Sequence, residues 1–462
     1  MKLLKILLLL VCVSASLSGT VRAATSFFLK NGDRVCFYGD SITEQRFYTV
    51  DVETYVRTRF PGLHVQFVNS GVGGDRVGGG WAGSINLRLR RDVFPFKPNV
   101  VTIMLGMNDA KYRPFNQAIF DKYRKGYKHL IASLESHLPG VRIVLIGPSA
   151  YDDITEKPGF PGGYNGVLIR YMRFVHRLAQ KNNLSFVDFN TPLVAVLKKM
   201  EKINPKLAKD VIPGRVHPSA AGQLVMAQAL LKAWGAPATV TSVSLNAGTR
   251  QIIAATHTVV HHVAITHGDV SWVQLDKALP MPIMALHENW PQFPPTSIWG
   301  APSPNMVHTV AATALVVRES GFVPALDRQT LKVTNLPAAH YQLRINGTSV
   351  GKFTRAELTH GINISQLPTP MLAQAYRVLS LAWERTQIRF AAWRQVQLPM
   401  SNIGWFTPQL PINVNTGSMS PKAAADVDNI MASFSKLQRL VSTEEYLAAR
   451  PLPCHYELSQ IR

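Results

Sequence analysis

Residues 34–46 read Arg34-Val35-Cys36-Phe37-Tyr38-Gly39-Asp40-Ser41-Ile42-Thr43-Glu44-Gln45-Arg46. An apolar run stops at Gly39 and gives way to Asp40, Ser41 and Thr43, the pattern of a buried strand delivering a serine to a strand-to-helix turn. Parallel sheets carry reactive groups just past the carboxyl ends of their strands, where a hydroxyl is open to substrate and its backbone N–H can face an oxyanion. Ser41 is therefore a candidate nucleophile. The competing reading of a lone Gly-Asp-Ser is an N-cap serine without chemistry, so the rest of the chain has to decide.

Four more apolar runs follow at Val65–Val68, Val100–Leu105, Ile143–Ile146 and Phe186–Val187. They are continuous, not alternating, as expected of strands covered on both faces. Helical spacing fills the gaps: Phe120, Tyr123, Tyr127, Leu130, Ile131, Leu134 and Leu138 recur at three and four residues, as do Tyr171, Phe174, Val175 and Leu178. Leu224, Val225, Ala227, Gln228 and Leu231 mark a last helix with Ser219 as its cap. The alternation predicts an α/β domain over residues 24–236, with a parallel sheet of about five strands and helices on both faces. Pro237 marks its end.

From about residue 240 the texture changes to alternating segments rich in Thr and Val, and Tyr341–Ile345 runs through Asn346-Gly347 into Thr348–Phe353, a hairpin signal. Residues 237–462 thus read as a C-terminal accessory region, with a small antiparallel sheet or sandwich at about 240–360 and helices at about 369–448. Thr369-Pro370 and Ser420-Pro421 open the two long helices. They can pair with each other, clasp the sheet or lie on the first domain.

Lys2 and Lys5 precede the apolar run Ile6–Val13, and Val21-Arg22-Ala23 offers a cleavage site, so residues 1–23 read as a signal peptide. The expectation is a secreted or periplasmic protein with no transmembrane segment in the mature chain. Residues 24–235 carry 29 basic and 16 acidic side chains, a net charge of +13. Such a surface favours an anionic envelope or polysaccharide. No nucleic-acid motif accompanies it, and nucleic acid is not an expected partner. Beyond residue 23 only Cys36 and Cys454 remain, and Cys36 reads as a buried free thiol.

Three loops carry further chemistry. Asn69-Ser70-Gly71-Val72-Gly73-Gly74-Asp75 follows the second strand, Gly106-Met107-Asn108-Asp109 the third, and Val216-His217-Pro218 precedes the last helix. With the Ser41 turn, and in this order, they resemble the four blocks of the SGNH hydrolases, the GDSL esterase and lipase family, over roughly residues 33–235. The resemblance implies a flavodoxin-like strand order with the first and third strands adjacent. It implies that Ser41 is the nucleophile and His217 the general base. The N–H groups of Ser41 and Gly74 and the side-chain amide of Asn108 would form the oxyanion hole. No metal and no cofactor are needed.

One block departs from the family pattern. Where an aspartate usually stands three residues before the histidine and orients it, this chain has Gly214. The nearest carboxylate in sequence is Asp210, the candidate substitute acid. The alternatives are a Ser–His dyad and reduced activity. The expected function is an exported serine esterase acting on short acyl groups, O-acetyl above all, carried by carbohydrate or another small ester. A catalytically silent glycan-binding relative and an esterase for lipid-like or aryl esters are the alternatives. His257, His261 and His267 share one face of an alternating segment but lack a second ligand set, so they read as structural. Trp290, Phe293 and Trp299 crowd a proline-rich loop, where packing is a commoner role than stacking on sugar. Asp152 and Asp153 read as a solvated loop, and Asp40 as shaping the nucleophile turn.

Overall fold

In the computed structural model, which describes residues 26–284, 286, 310–398 and 421–461, each of the five apolar runs is a strand. They are β1 (Arg34–Gly39), β2 (Gln66–Gly71), β3 (Val100–Met104), β4 (Arg142–Ile146) and β5 (Ser185–Val187). All pair in parallel, in the order β2-β1-β3-β4-β5. The chain steps from β1 outward to β2 and then crosses to β3 on the other side. The carboxyl ends of β1 and β3 therefore flank a topological switch point, where α/β sheets open a crevice. Ser41 lies immediately beyond that end of β1.

Helices α1 (Phe47–Arg59), α2 (Gln117–His137), α3 (Gly163–Lys181), α4 (Asn190–Ile203) and α5 (Ala220–Ala233) cover the sheet. Asn116 caps α2 by accepting from the Ile119 N–H at 3.0 Å, and Ser219 caps α5 by accepting from Gly222 at 3.3 Å. Every residue of α1 is buried, including Asp51, Glu53, Arg57 and Arg59. Charges that are taken out of water need partners. Glu53, Arg57, Arg385 and Glu445 supply one another as a network of ion pairs, and Arg59 pairs with Asp327 at 3.5 Å.

The C-terminal strands are β6 (Thr239–Asn246), β7 (Gln251–Thr256), β8 (Thr258–Thr266), β9 (Asp269–Asp276), β10 (Arg328–Thr334), β11 (His340–Ile345), β12 (Thr348–Thr354), β13 (Ile362–Asn363) and β14 (Cys454–Gln460). They build two sheets, β8-β9-β14-β11-β12 and β13-β10-β6-β7, around a shared core that includes Val243, Leu331, Trp272, Leu343 and Tyr456. Two features differ from the sequence reading. β6 and β10 run parallel, so the second sheet is mixed. β14 enters the first sheet between β9 and β11 from beyond the helical stretch. The Asn346-Gly347 hairpin joins β11 to β12 with both turn residues at positive φ, 48° and 77°.

Helix α6 (Val310–Ser320) lies against the first domain, whose core includes Leu315 and Val316. Of the two long helices, α7 (Pro370–Ala391) touches both halves of the molecule. Met371, Ala375 and Val378 enter the sandwich core, while Leu379, Ala382 and Trp383 pack with Phe47, Val50 and Ala220. α8 (Pro421–Ala448) packs along α7 and reaches the first domain through Glu445 and through Tyr446, whose hydroxyl donates to the Val65 carbonyl at 3.0 Å. Cys36 and Cys454 are both buried free thiols. Among the described residues no helix is long and apolar enough to cross a membrane. The signal segment and Trp290, Phe293 and Trp299 lie outside the described residues.

Candidate active site

The turn after β1 is packed too tightly for any side chain at two positions. A Cβ on Gly39 would sit 2.1 Å from Thr43 Oγ1 and 2.9 Å from the Met104 carbonyl, and one on Gly71 would sit 2.3 Å from the Glu44 nitrogen. Glycine at these points lets the nucleophile turn rest on the ends of β2 and β3. Asp40 caps the turn, its Oδ1 accepting from the Ile42 N–H at 3.0 Å. Burial, with Asp109 and Asp75 nearby, pushes the Asp40 carboxyl up to about 8. Its role is to fix the turn, as its position in sequence suggests.

Ser41 Oγ lies 2.8 Å from His217 Nε2, a contact between residues 176 apart in the chain. Burial lowers the His217 pKa below the usual histidine range, which keeps the ring neutral and its nitrogen able to take a proton. The backbone N–H groups of Ser41 and Gly74 make no hydrogen bond among the described residues, whereas the neighbouring Gly73 N–H is taken by Glu44 Oε2 at 2.9 Å. Gly74 reaches this conformation at φ 75°. Asn108 donates from Nδ2 to the Asp75 carbonyl at 3.1 Å, and its Oδ1 accepts from the Tyr112 hydroxyl at 2.9 Å. Holding the oxygen and one N–H in this way fixes the amide plane and leaves the second N–H of Nδ2 for a ligand.

Among the described residues Asp210, the candidate substitute acid, makes no hydrogen bond to His217. Asp210 is half-buried beside Lys206, the charge that acts on it, and its carboxylate makes no hydrogen bond among the described residues. The same holds for His217 Nδ1. The histidine is steadied through its loop instead. Arg215, at φ 73°, donates from Nε to the Asp152 carbonyl at 3.0 Å and from a terminal nitrogen to Asp153 Oδ1 at 2.8 Å. Its own carbonyl accepts from the Asp152 N–H at 2.9 Å. Asp153 is thus an ion-pair partner of this loop, and Asp152 folds its carboxylate onto Ile154 and Thr155.

Sequence reasoning missed Gln223. This buried side chain of α5 accepts from the Tyr48 N–H at 3.1 Å and donates to Gln45 Oε1 at 2.7 Å and to the Pro218 carbonyl at 3.1 Å. It ties the nucleophile turn to the histidine loop. An amide in the first turn of a largely apolar helix, six places after His217, is the signal that could have found it. Tyr112 gave no such signal, because it reaches Asn108 only through successive left-handed residues at Lys111 and Tyr112, φ 59° and 53°. Its ring stacks on Tyr164 at 4.9 Å, and Tyr151 meets Tyr164 edge-on at 5.0 Å.

The histidines of the C-terminal sheets do not keep a common face. His257 sits at positive φ between β7 and β8, and the β8 register shifts after His261. Among the described residues no three His, Cys, Asp or Glu side chains converge as a metal site.

The neutral imidazole makes a prediction with a definite sign. A base must be unprotonated, so activity falls as pH drops through the His217 pKa, and the acidic midpoint of kcat/KM should lie below about 6.5, the value of a free imidazole. A midpoint above that pH would remove His217 as the titrating base.

Comparison with known proteins is consistent with this arrangement. Residues 37–225 match the GDSL-like Lipase/Acylhydrolase family. The acetylxylan esterase of Geobacillus stearothermophilus is 28% identical over 226 residues, 44% of this chain and 95% of that protein. A crystal structure of that esterase covers 46% of this chain and 98% of its own at 26% identity, with a TM-score of 0.37. A gut microbial diltiazem-metabolizing enzyme superposes with a TM-score of 0.75 at 24% identity, over 94% of this chain and 98% of its own. That likeness is one of fold, and it extends through the C-terminal sheets and helices. The protein is a carboxylic ester hydrolase. Over residues 37–225 its first domain is similar to the SGNH hydrolases, the GDSL-like lipase and acylhydrolase family.

Proposed function

We propose that the protein is an exported serine esterase that removes short acyl groups, O-acetyl above all, from carbohydrate. The observation that carries the reading is the 2.8 Å contact between Ser41 Oγ and His217 Nε2 beside two unspent backbone N–H groups. His217 takes the Ser41 proton as Oγ attacks the ester carbonyl, and the tetrahedral oxygen is met by the N–H groups of Ser41 and Gly74 and by Asn108. The imidazolium then protonates the departing sugar hydroxyl. Water, deprotonated by the same ring, releases the acyl group from Ser41.

The carbohydrate part of the reading is supported by the acetylxylan esterase relative. The basic first domain and the tyrosines 112, 151 and 164 around Asn108 suit a polyhydroxylated, partly anionic substrate. Export is supported by Lys2–Ala23 alone. A fluorophosphonate probe tests the core of the proposal, because it reacts only with an activated serine. Labelling should map to Ser41 and be lost in His217→Ala. An unlabelled native protein would favour a silent glycan-binding role, for which Gly214 is the one supporting residue. Release of acetate from acetylated xylo-oligosaccharide, compared with lipid-like and aryl esters, tests the substrate class.

Asn108→Ala should lower kcat by roughly two to three orders of magnitude, the effect of removing one preorganised donor. Tyr112→Phe should lower the same parameter less, because the amide stays but loses one of its two restraints. A change confined to KM in both variants would count against an oxyanion role for Asn108.

A further inference from the structure

The loop that carries Gly74 is held by side chains on either side of Gly73, one on each of its two peptides, and the support behind them comes from more than 300 residues further along the chain. Glu44 Oε2 accepts from the Gly73 N–H at 2.9 Å, and Trp81 Nε1 donates to the Gly73 carbonyl at 2.6 Å. The Trp81 ring also lies beside Gly74, since a Cβ added there would be 3.8 Å from its Cδ1. Over that ring, 4.5 Å from its centroid, stands the guanidinium of Arg394.

Arg394 belongs to a widened helical turn, Ala392–Gln397, that continues α7. The same turn is fixed to the first domain by Trp393, whose Nε1 donates to Asp92 Oδ1 at 3.2 Å, and Trp393 and Leu398 share a buried apolar cluster with Val72 and Ala82. Arg46, at the end of the nucleophile turn, lies 4.3 Å from the ring centroid of Phe390. Glu44 is buried, which pushes its carboxyl up to about 7, and Arg46, Arg394, the Gly73 N–H and Arg88 offset only part of that burial. The end of α7 therefore backs both groups that clamp Gly73.

We propose that Arg394, through Trp81 and Glu44, positions the Gly73–Gly74 peptide so that the Gly74 N–H faces the substrate oxyanion, making the end of α7 a working part of the esterase site. This rests on the oxyanion role given to Gly74 above. Donors act in the transition state only where they are held in place beforehand, and small misplacements cost up to about a hundredfold in rate. Arg394 and Trp81 are positioning residues that touch no reacting atom.

The test uses the full chain and measures kcat, KM and the thermal midpoint with p-nitrophenyl acetate. Trp81→Phe keeps the ring under Arg394 but loses the N–H to Gly73, and Arg394→Ala removes the cover. Each should lower kcat roughly ten- to a hundredfold with KM within about twofold. The double variant should lose less than the product of the two, because both act on one peptide. Arg394→Lys, which keeps the charge near Glu44, should recover most of the rate. Unchanged kcat in both single variants, while Ser41→Ala is inactive, overturns the positioning role and leaves the esterase reading standing. A Ser41→Ala variant as active as the native protein overturns the esterase reading itself. Losses of kcat that track thermal destabilisation, with KM rising alongside, also overturn the positioning role, and Trp81→Phe keeps the test open if Arg394→Ala does not fold.

Discussion

Ser41→Ala is expected to abolish hydrolysis of p-nitrophenyl acetate, a loss of at least roughly a hundredfold and at most roughly six orders of magnitude, the scale seen when a complete serine triad loses its nucleophile. The thermal midpoint should barely move. Ser41 sits at the crevice with its side chain only partly covered, and its hydroxyl pairs with His217. Removing it leaves no apolar cavity, because the turn is held by Asp40, Gly39 and Gly71 instead. A comparable rate in the variant, measured after checking for contaminating esterase with the fluorophosphonate probe, would take Ser41 out of the mechanism.

The second expectation runs the other way: Gly214→Asp should raise turnover. With nothing among the described residues bonded to Nδ1, the His217 ring is free to carry its proton on Nε2, and in that tautomer it donates to Ser41 and cannot act as base. A carboxylate three residues earlier would accept from Nδ1–H, fix the useful tautomer and stabilise the imidazolium that forms during attack. The ceiling on the gain is roughly four orders of magnitude, the loss seen when a triad acid is removed. There is room for the side chain, since among the described residues no heavy atom beyond its chain neighbours lies within 4 Å of a Cβ at Gly214. The backbone there is left-handed, φ 66°, which should cost roughly 1–2 kcal/mol of stability. Activity and thermal midpoint are thus expected to move in opposite directions. Asp210→Asn should change neither, because that carboxylate lies with Lys206 and not with His217. A severe loss in Asp210→Asn, with no gain in Gly214→Asp, would restore Asp210 as the acid.

The parts of this protein that were legible in sequence share one physical property: their signal is local. Val35–Tyr38 and Val100–Leu105 are strands buried on both faces, so unbroken apolarity betrays them, and Gly39 announces the close approach of Thr43. Helix α1 hid for the opposite reason. It is covered on every side, and Glu53 and Arg57 are buried among partners at Arg385 and Glu445 that no window of sequence contains. The meeting of Ser41 with His217 spans the whole first domain and was readable only as an ordered set of motifs. The same limit applied to the sandwich, where alternation marked about 240–360 as β-rich but pointed to an antiparallel sheet and carried no sign of the parallel pairing of β6 with β10. Cys454, Tyr456 and Leu458 alternate with polar neighbours, but the sequence reading placed no strand there, and nothing local marks its place between β9 and β11.

That last strand bears on how the molecule is made. β14 sits in the interior of its sheet, between β9 and β11, so until it arrives two strands present bare edges to their surroundings. A ribosome adding about 5–20 residues per second needs roughly 10–35 s to travel from Asp276, the end of β9, to Cys454. During that interval β9 and β11 are templates for any extended segment that meets them, including the same strand of a neighbouring nascent chain. The sandwich sheet therefore cannot close until Cys454–Gln460 has been made.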